Sequence, residues 1–146
     1  MSCCNSKTPY AKSCIRVRNS TAQTLSATTP TTLVLQGTPV TDSGCSLTLN
    51  PSSITVNKSG LYHFAADVTV NPTAAGTAVI QLFKDGVPLL CAVATVTATT
   101  DSIFTAHVET DLCLNACCAN NPAIAVVVSG VAGTVTNLCV GALKLA

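Results

Sequence analysis

The chain has 146 residues, nine cysteines, no Trp, 3% aromatic and 9% charged residues, and a net charge of +1. The length suits one domain with a sizeable core. The weak charge excludes the basic patch that nucleic-acid binding needs, and no run reaches the ~18 consecutive apolar residues of a membrane helix. Val, Ile, Leu and Ala must therefore fill the core. Thr and Val together number 39 residues, and both are β-branched and suited to strands. So few charges leave a β-rich monomer prone to association, which makes a closed oligomer the expected state.

Residues 1–20 comprise a polar arm and a first strand, and residues 21–146 form the main domain. The arm shows no periodicity and lacks the apolar stretch of a signal peptide. Synthesis in a cytoplasm is expected, with release by lysis or as part of a particle. "CIRVRN" (14–19) reads as the first strand and the Ser/Thr-rich segment 20–32 as a loop. "LVLQ" (33–36) reads as a short strand and "GTPVTDSG" as a turn-rich link. "CSLTLN" (45–50) and "ITVNKSG" (54–60) are short strands.

Longer strands follow. In "LYHFAADVTVN" (61–71), Tyr62, Phe64, Ala66, Val68 and Val70 share one face, and Leu61, His63, Ala65, Asp67 and Thr69 the other. "TAVIQLFKDG" (77–86) ends in a hairpin turn, and "VPLLCAVATVTA" (87–98) returns. In "DSIFTAHVETDLCL" (101–114), Phe104, Ala106, Val108 and Leu112 oppose Ile103, Thr105, His107 and Glu109. "NACCANNP" is a loop, "AIAVVVSG" (123–130) a strand, "VAGTVTN" a turn, and "LCVGALKLA" (138–146) the last strand. About ten strands without a helix predict an all-β antiparallel sandwich or jelly roll.

The order of motifs resembles the jelly roll of the tumour necrosis factor and complement globular-head superfamily. The shared marks are Gly60, Tyr62 and Phe64, the hairpin Lys84–Gly86, and Gly141 with Leu143 in the last strand. The resemblance spans roughly residues 45–146. It implies a ten-strand jelly roll and a compact homotrimer whose threefold axis runs along one sheet. No Gly-x-y stalk precedes the domain, and the receptor loops of cytokines cannot be traced.

This resemblance gives the histidines a setting. With Tyr62 and Phe64 in the core, Leu61, His63, Ala65 and Asp67 face the trimer axis. Thr105, His107 and Glu109 lie on the same face of a neighbouring strand, with Leu143 and Leu145 completing the interface. Two readings stand. One is a solvent-exposed or hydrogen-bonded lone histidine. The other is a polar layer between subunits, holding water, an anion or a metal, with Asp67 or Glu109 balancing charge.

Three readings also compete for the cysteines. Cys91 and Cys139 lie in apolar strands and are expected as reduced core residues. Disulfides or intersubunit crosslinks would involve Cys3, Cys4, Cys113, Cys117 and Cys118. A metal site would use Cys113, Cys117 and Cys118 with Cys3 and Cys4. Cys113 and Cys117 have the spacing of a zinc ligand pair, but the second pair is adjacent rather than spaced, which disfavours the site. No cofactor is expected.

Catalysis has few parts to work with. Nucleophile elbow, H-E-x-x-H and phosphate-loop motifs are absent from the sequence. Cys113 and His107, six residues apart on one strand, are separated by about 20 Å at strand rise and form no dyad. The expected role is a non-enzymatic homotrimer on a virion surface, a phage capsid decoration or head-fibre protein held through its N-terminal arm. The alternative is a head module on a bacterial spore surface, or a secreted one, with a ligand in the loops 72–76 or 115–122. A cytokine-like ligand is the least favoured.

Overall fold

A computed structural model describes residues 13–43, 46–116 and 121–146. Twelve strands are present among them: β1 (Cys14–Asn19), β2 (Gln23–Leu25), β3 (Thr31–Thr32), β4 (Thr38–Ser43), β5 (Leu47–Leu49), β6 (Ile54–Val56), β7 (Gly60–Pro72), β8 (Gly76–Lys84), β9 (Val87–Ala98), β10 (Phe104–Leu114), β11 (Ala123–Ser129) and β12 (Gly133–Lys144). They form two antiparallel sheets. The first runs β10-β7-β12-β1-β4, with β2 paired to β12. The second runs β5-β6-β11-β8-β9, with β3 paired to β11.

Period-two alternation assigns the inner faces. On β7 every second residue from Tyr62 to Val70 is buried, and Tyr62 and Phe64 are the largest side chains with essentially no exposure. Their rings stack with centroids 6.2 Å apart. The buried Tyr62 hydroxyl donates to the Lys58 carbonyl at 2.6 Å, which satisfies its one polar atom. Ile80, Leu82, Ile54, Val126 and Val128 supply the opposing face from the second sheet. This core is aliphatic, as the composition requires, and Leu33 and Leu35 close it from outside the strands.

Turn chemistry fixes the longest hairpin. Asp85 (φ 51°) and Gly86 (φ 80°) are both left-handed, the signature of a two-residue type I′ turn between β8 and β9. The Asp85 carboxylate also accepts from the Ala123 amide at 2.9 Å, tying the turn to β11. Gly60 answers a close approach instead. A Cβ there would run into the Ala146 carbonyl, because the chain end lies against the start of β7. The Leu61 amide donates to that carbonyl at 3.0 Å.

Several local expectations are corrected. The strand count is twelve among the described residues rather than ten, because the expected loop 20–32 contributes β2 and β3. "LVLQ" keeps its alternation but joins no ladder. The Leu33 amide donates to Val126 and the Leu35 amide to Pro51, two separate partners. "GTPVTDSG", read as a link, contains β4, an edge strand, the place in a sheet where a proline such as Pro39 is tolerated. "VAGTVTN", read as a turn, opens β12. A register shift between Val135 and Asn137 breaks the alternation there, as a bulge does, while Val135 and Leu138 both stay buried. Cys91 is exposed, not in the core, since the β8–β9 register shifts between Gln81 and Phe83. Cys139 is half-buried.

Candidate functional site

The outer face of the first sheet gathers both histidines. Cross-strand register fixes their neighbours: on β7 and β10, His63 is opposite Asp111, Ala65 opposite Glu109, Asp67 opposite His107, and Thr69 opposite Thr105. Each imidazole therefore faces a carboxylate. His63 Nδ1 lies 2.6 Å from Asp111 Oδ1, and His107 Nδ1 lies 2.7 Å from Asp67 Oδ1. Glu109 sits between them, its Oε2 3.5 Å from His63 Nε2 and 3.4 Å from His107 Nε2. The result is a continuous row, Asp111–His63–Glu109–His107–Asp67, running along the two strands. Neither histidine is alone.

The row has three carboxylates and two imidazoles, so it is negative whether or not both rings are protonated. The hydrogen bond to Asp67 raises the pKa of His107 above the ordinary histidine value. Desolvation opposes this, and Glu109 adds to it. Beside this row the Thr69 and Thr105 hydroxyls lie 2.9 Å apart.

Two more strands complete the face. On β12, Leu143 is opposite His63, Gly141 opposite Ala65 and Cys139 opposite Asp67. On β1, Cys14 is opposite Leu143, Arg16 opposite Gly141 and Arg18 opposite Cys139. Arg18 is oriented by donating its Nε–H to Asn137 Oδ1 at 3.0 Å. Arg16 is exposed. Between the carboxylate row and the arginines lies a depression of about 330 Å³, lined by Arg16, His63, Ala65, Gly141 and Leu143 among others.

Gly141 is what deepens it. Its backbone is not in the left-handed region, and an added Cβ would lie 3.6 Å from the Ile15 carbonyl, an ordinary contact. Nothing among the described residues demands a glycine here.

Of the residues expected on this face, Leu61, His63, Ala65, Asp67, Thr105, His107, Glu109 and Leu143 lie on it; Leu145 follows the end of β12, partly exposed, and Ile103 precedes β10. Sequence reasoning did not assign Asp111, Arg16 or Arg18 to this face, and it named Gly141 only as a mark of the family resemblance. The signal for the arginines was present: in "CIRVRN", Ile15 and Val17 are buried, so Arg16 and Arg18 must point outward. Of the cysteines expected in crosslinks, Cys113 lies exposed opposite Leu61. Cys3, Cys4, Cys117 and Cys118 lie outside the described residues.

The two-sheet architecture with this strand order matches solved structures along nearly the whole chain. The PRD1 vertex protein P5 superimposes with a TM-score of 0.71 at 17% identity, covering 92% of this chain and 97% of that one. Murine APRIL at pH 5.0 gives 0.69 at 16% identity, covering 92% and 100%. The globular domain of a zebrafish complement 1qA protein gives 0.60 at 9% identity, covering 91% and 96%. The fold is a jelly roll of the tumour necrosis factor and complement-head type. No family model matches the sequence, and no curated protein does. The fold is thus legible where sequence identity has fallen away. A phage vertex protein is among the proteins that share it.

Proposed function

We propose that the chain is a non-enzymatic structural protein, a homotrimeric jelly roll that decorates a viral capsid surface, with the outer face of the first sheet as the contact between copies. One observation carries the assembly. In a chain with 9% charged residues, the Asp, Glu, Arg and His side chains of β1, β7 and β10 gather on one sheet face, around a depression opened by a glycine that the chain itself does not need. A solvated face has no use for such a glycine, whereas a close-packed partner does.

Exposed apolar side chains add to the case. Val87, Leu90 and Ile103, 63%, 83% and 64% exposed, lie along the flank where the edge strands of the two sheets meet. In a closed ring these edges would be covered. The likeness to a phage vertex protein supports the virion surface. Attachment is assigned to the N-terminal arm. β1 is committed to the middle of the first sheet, which leaves the part of the arm ahead of Ser13 for the particle.

Mass spectrometry of purified virions and of purified spores tests the role. The chain is expected as a stoichiometric virion component. Its recovery from spore coats and not from virions would overturn the capsid assignment.

A further inference from the structure

The registers of β10, β7, β12 and β1 set residues in straight rows across the outer face. One row reads Glu109, Ala65, Gly141, Arg16. The next reads His107, Asp67, Cys139, Arg18. Each row is basic at β1 and carries its carboxylate on the far side, on β10 in the first row (Glu109) and on β7 beside His107 in the second (Asp67). In the first, the acid and the base are separated by the two smallest side chains. Three strand spacings put the two backbones roughly 14 Å apart, and Glu109 and Arg16 do not pair within the chain. Among the described residues the Arg16 side chain makes no hydrogen bond or ion pair. Both contacts of Glu109 fall on Oε2, 3.4 and 3.5 Å from the imidazoles, which leaves Oε1 open to a guanidinium.

We propose that Arg16 of one copy pairs with Glu109 of the next, and Arg18 with the Asp67 end of the row. The face is therefore built to meet a second copy of itself, base to acid, over the Ala65–Gly141 trough. This rests on the homotrimer reading and supplies its specificity. A head-to-tail contact brings the acidic side of one copy to the basic side of its neighbour at every junction, so a ring satisfies all its charges without a second kind of surface. The small residues let the two sheets approach closely enough for the pairs to lose most of their water. The imidazoles on either side of Glu109 keep that carboxylate pointed along the row. A foreign partner would need its own matching polarity, whereas this chain already carries both halves.

The test is a charge swap on the full chain, read by sedimentation equilibrium, with circular dichroism as the folding control. Arg16→Glu and Glu109→Arg are each expected to raise the dissociation constant by about two orders of magnitude, in the range seen when one partner of a desolvated pair is removed. The double variant Arg16→Glu/Glu109→Arg is expected to recover most of that loss. Arg16→Gln and Glu109→Gln serve where a reversal fails to fold. A wild-type trimer indifferent to the reversals, or a double variant no better than the singles, overturns the pairing alone. A wild type that sediments as a single chain overturns both the pairing and the trimer. A wild type of two chains that the swap rescues keeps the pairing and overturns the trimer.

Discussion

The two outer faces of this sandwich are built from similar strands and differ in what they carry. On β8, β9 and β11 the outward positions hold Thr77, Val79, Gln81, Phe83, Cys91, Val93, Thr95, Thr97, Ala125 and Ser129, with Leu90 also exposed, and the one charged residue of these strands, Lys84, sits at the hairpin end. On β1, β7 and β10 the outward positions hold Arg16, Arg18, Asp67, Glu109, Asp111 and both histidines. Solubility alone would spread the few charges over both faces. Their segregation, together with the trough at Gly141, marks the first face as the one shaped for a partner of matching charge, whereas the second carries apolar and hydroxyl side chains and no charge pattern.

Substitutions can break or sharpen this contrast. The largest effect is expected beneath both faces. Phe64→Ala should cost about 3–5 kcal/mol in urea unfolding, because it empties a site shared by the two sheets. A loss below about 1 kcal/mol would mean that the sheets do not pack as described.

Next comes Gly141→Leu, which fills the trough and should dissociate the oligomer while leaving the single-chain melt within about 1 kcal/mol of wild type. Val79→Leu on the second face should leave the sedimenting mass unchanged. Equal effects of the two would erase the distinction between the faces.

A smaller effect is expected from pH. The pKa of His107 is raised in the folded chain by the bond to Asp67. Its contribution is therefore fully present below the unfolded histidine pKa and is lost as pH rises through the folded one. Urea unfolding in the Gly141→Leu background, which separates folding from assembly, should show slightly greater stability at pH 6 than at pH 8. This exposed pair is worth less than about 1 kcal/mol, and His107→Gln should remove its share of the slope. A slope of opposite sign from this residue would contradict the His107–Asp67 bond. Smallest of all, Thr69→Val should cost within about 0.5 kcal/mol, as expected for an exposed hydroxyl pair.

Much of this was legible from alternation alone. On β7 the side of every residue from Leu61 to Val70 follows from period two, because a strand buried on one face permits no slip of register. The same logic placed Thr105, His107 and Glu109. It failed where pairing is non-local. Among the described residues strand β4 pairs only with β1, so its Thr- and Pro-containing sequence resembles a link until its partner is known. The bulge near Thr136 hid the first third of β12. Cys91 looked like a core residue because its strand is apolar on both sides, and a strand of that kind does not announce which face is inward. The rows that join Glu109 to Arg16 cross four strands far apart in sequence. No pattern within a single strand encodes them; they arise only when the registers are set.

Both histidines of the chain lie on the first face, so a histidine-specific reagent reads that face and nothing else. Diethyl pyrocarbonate modification, followed by absorbance and peptide mapping, tests the account most directly. His63 and His107 should be protected in the assembled wild type and become reactive in Gly141→Leu. Full reactivity of both in the wild type, at concentrations where it sediments as an oligomer, would show that the face is free in the assembly and contradict the account.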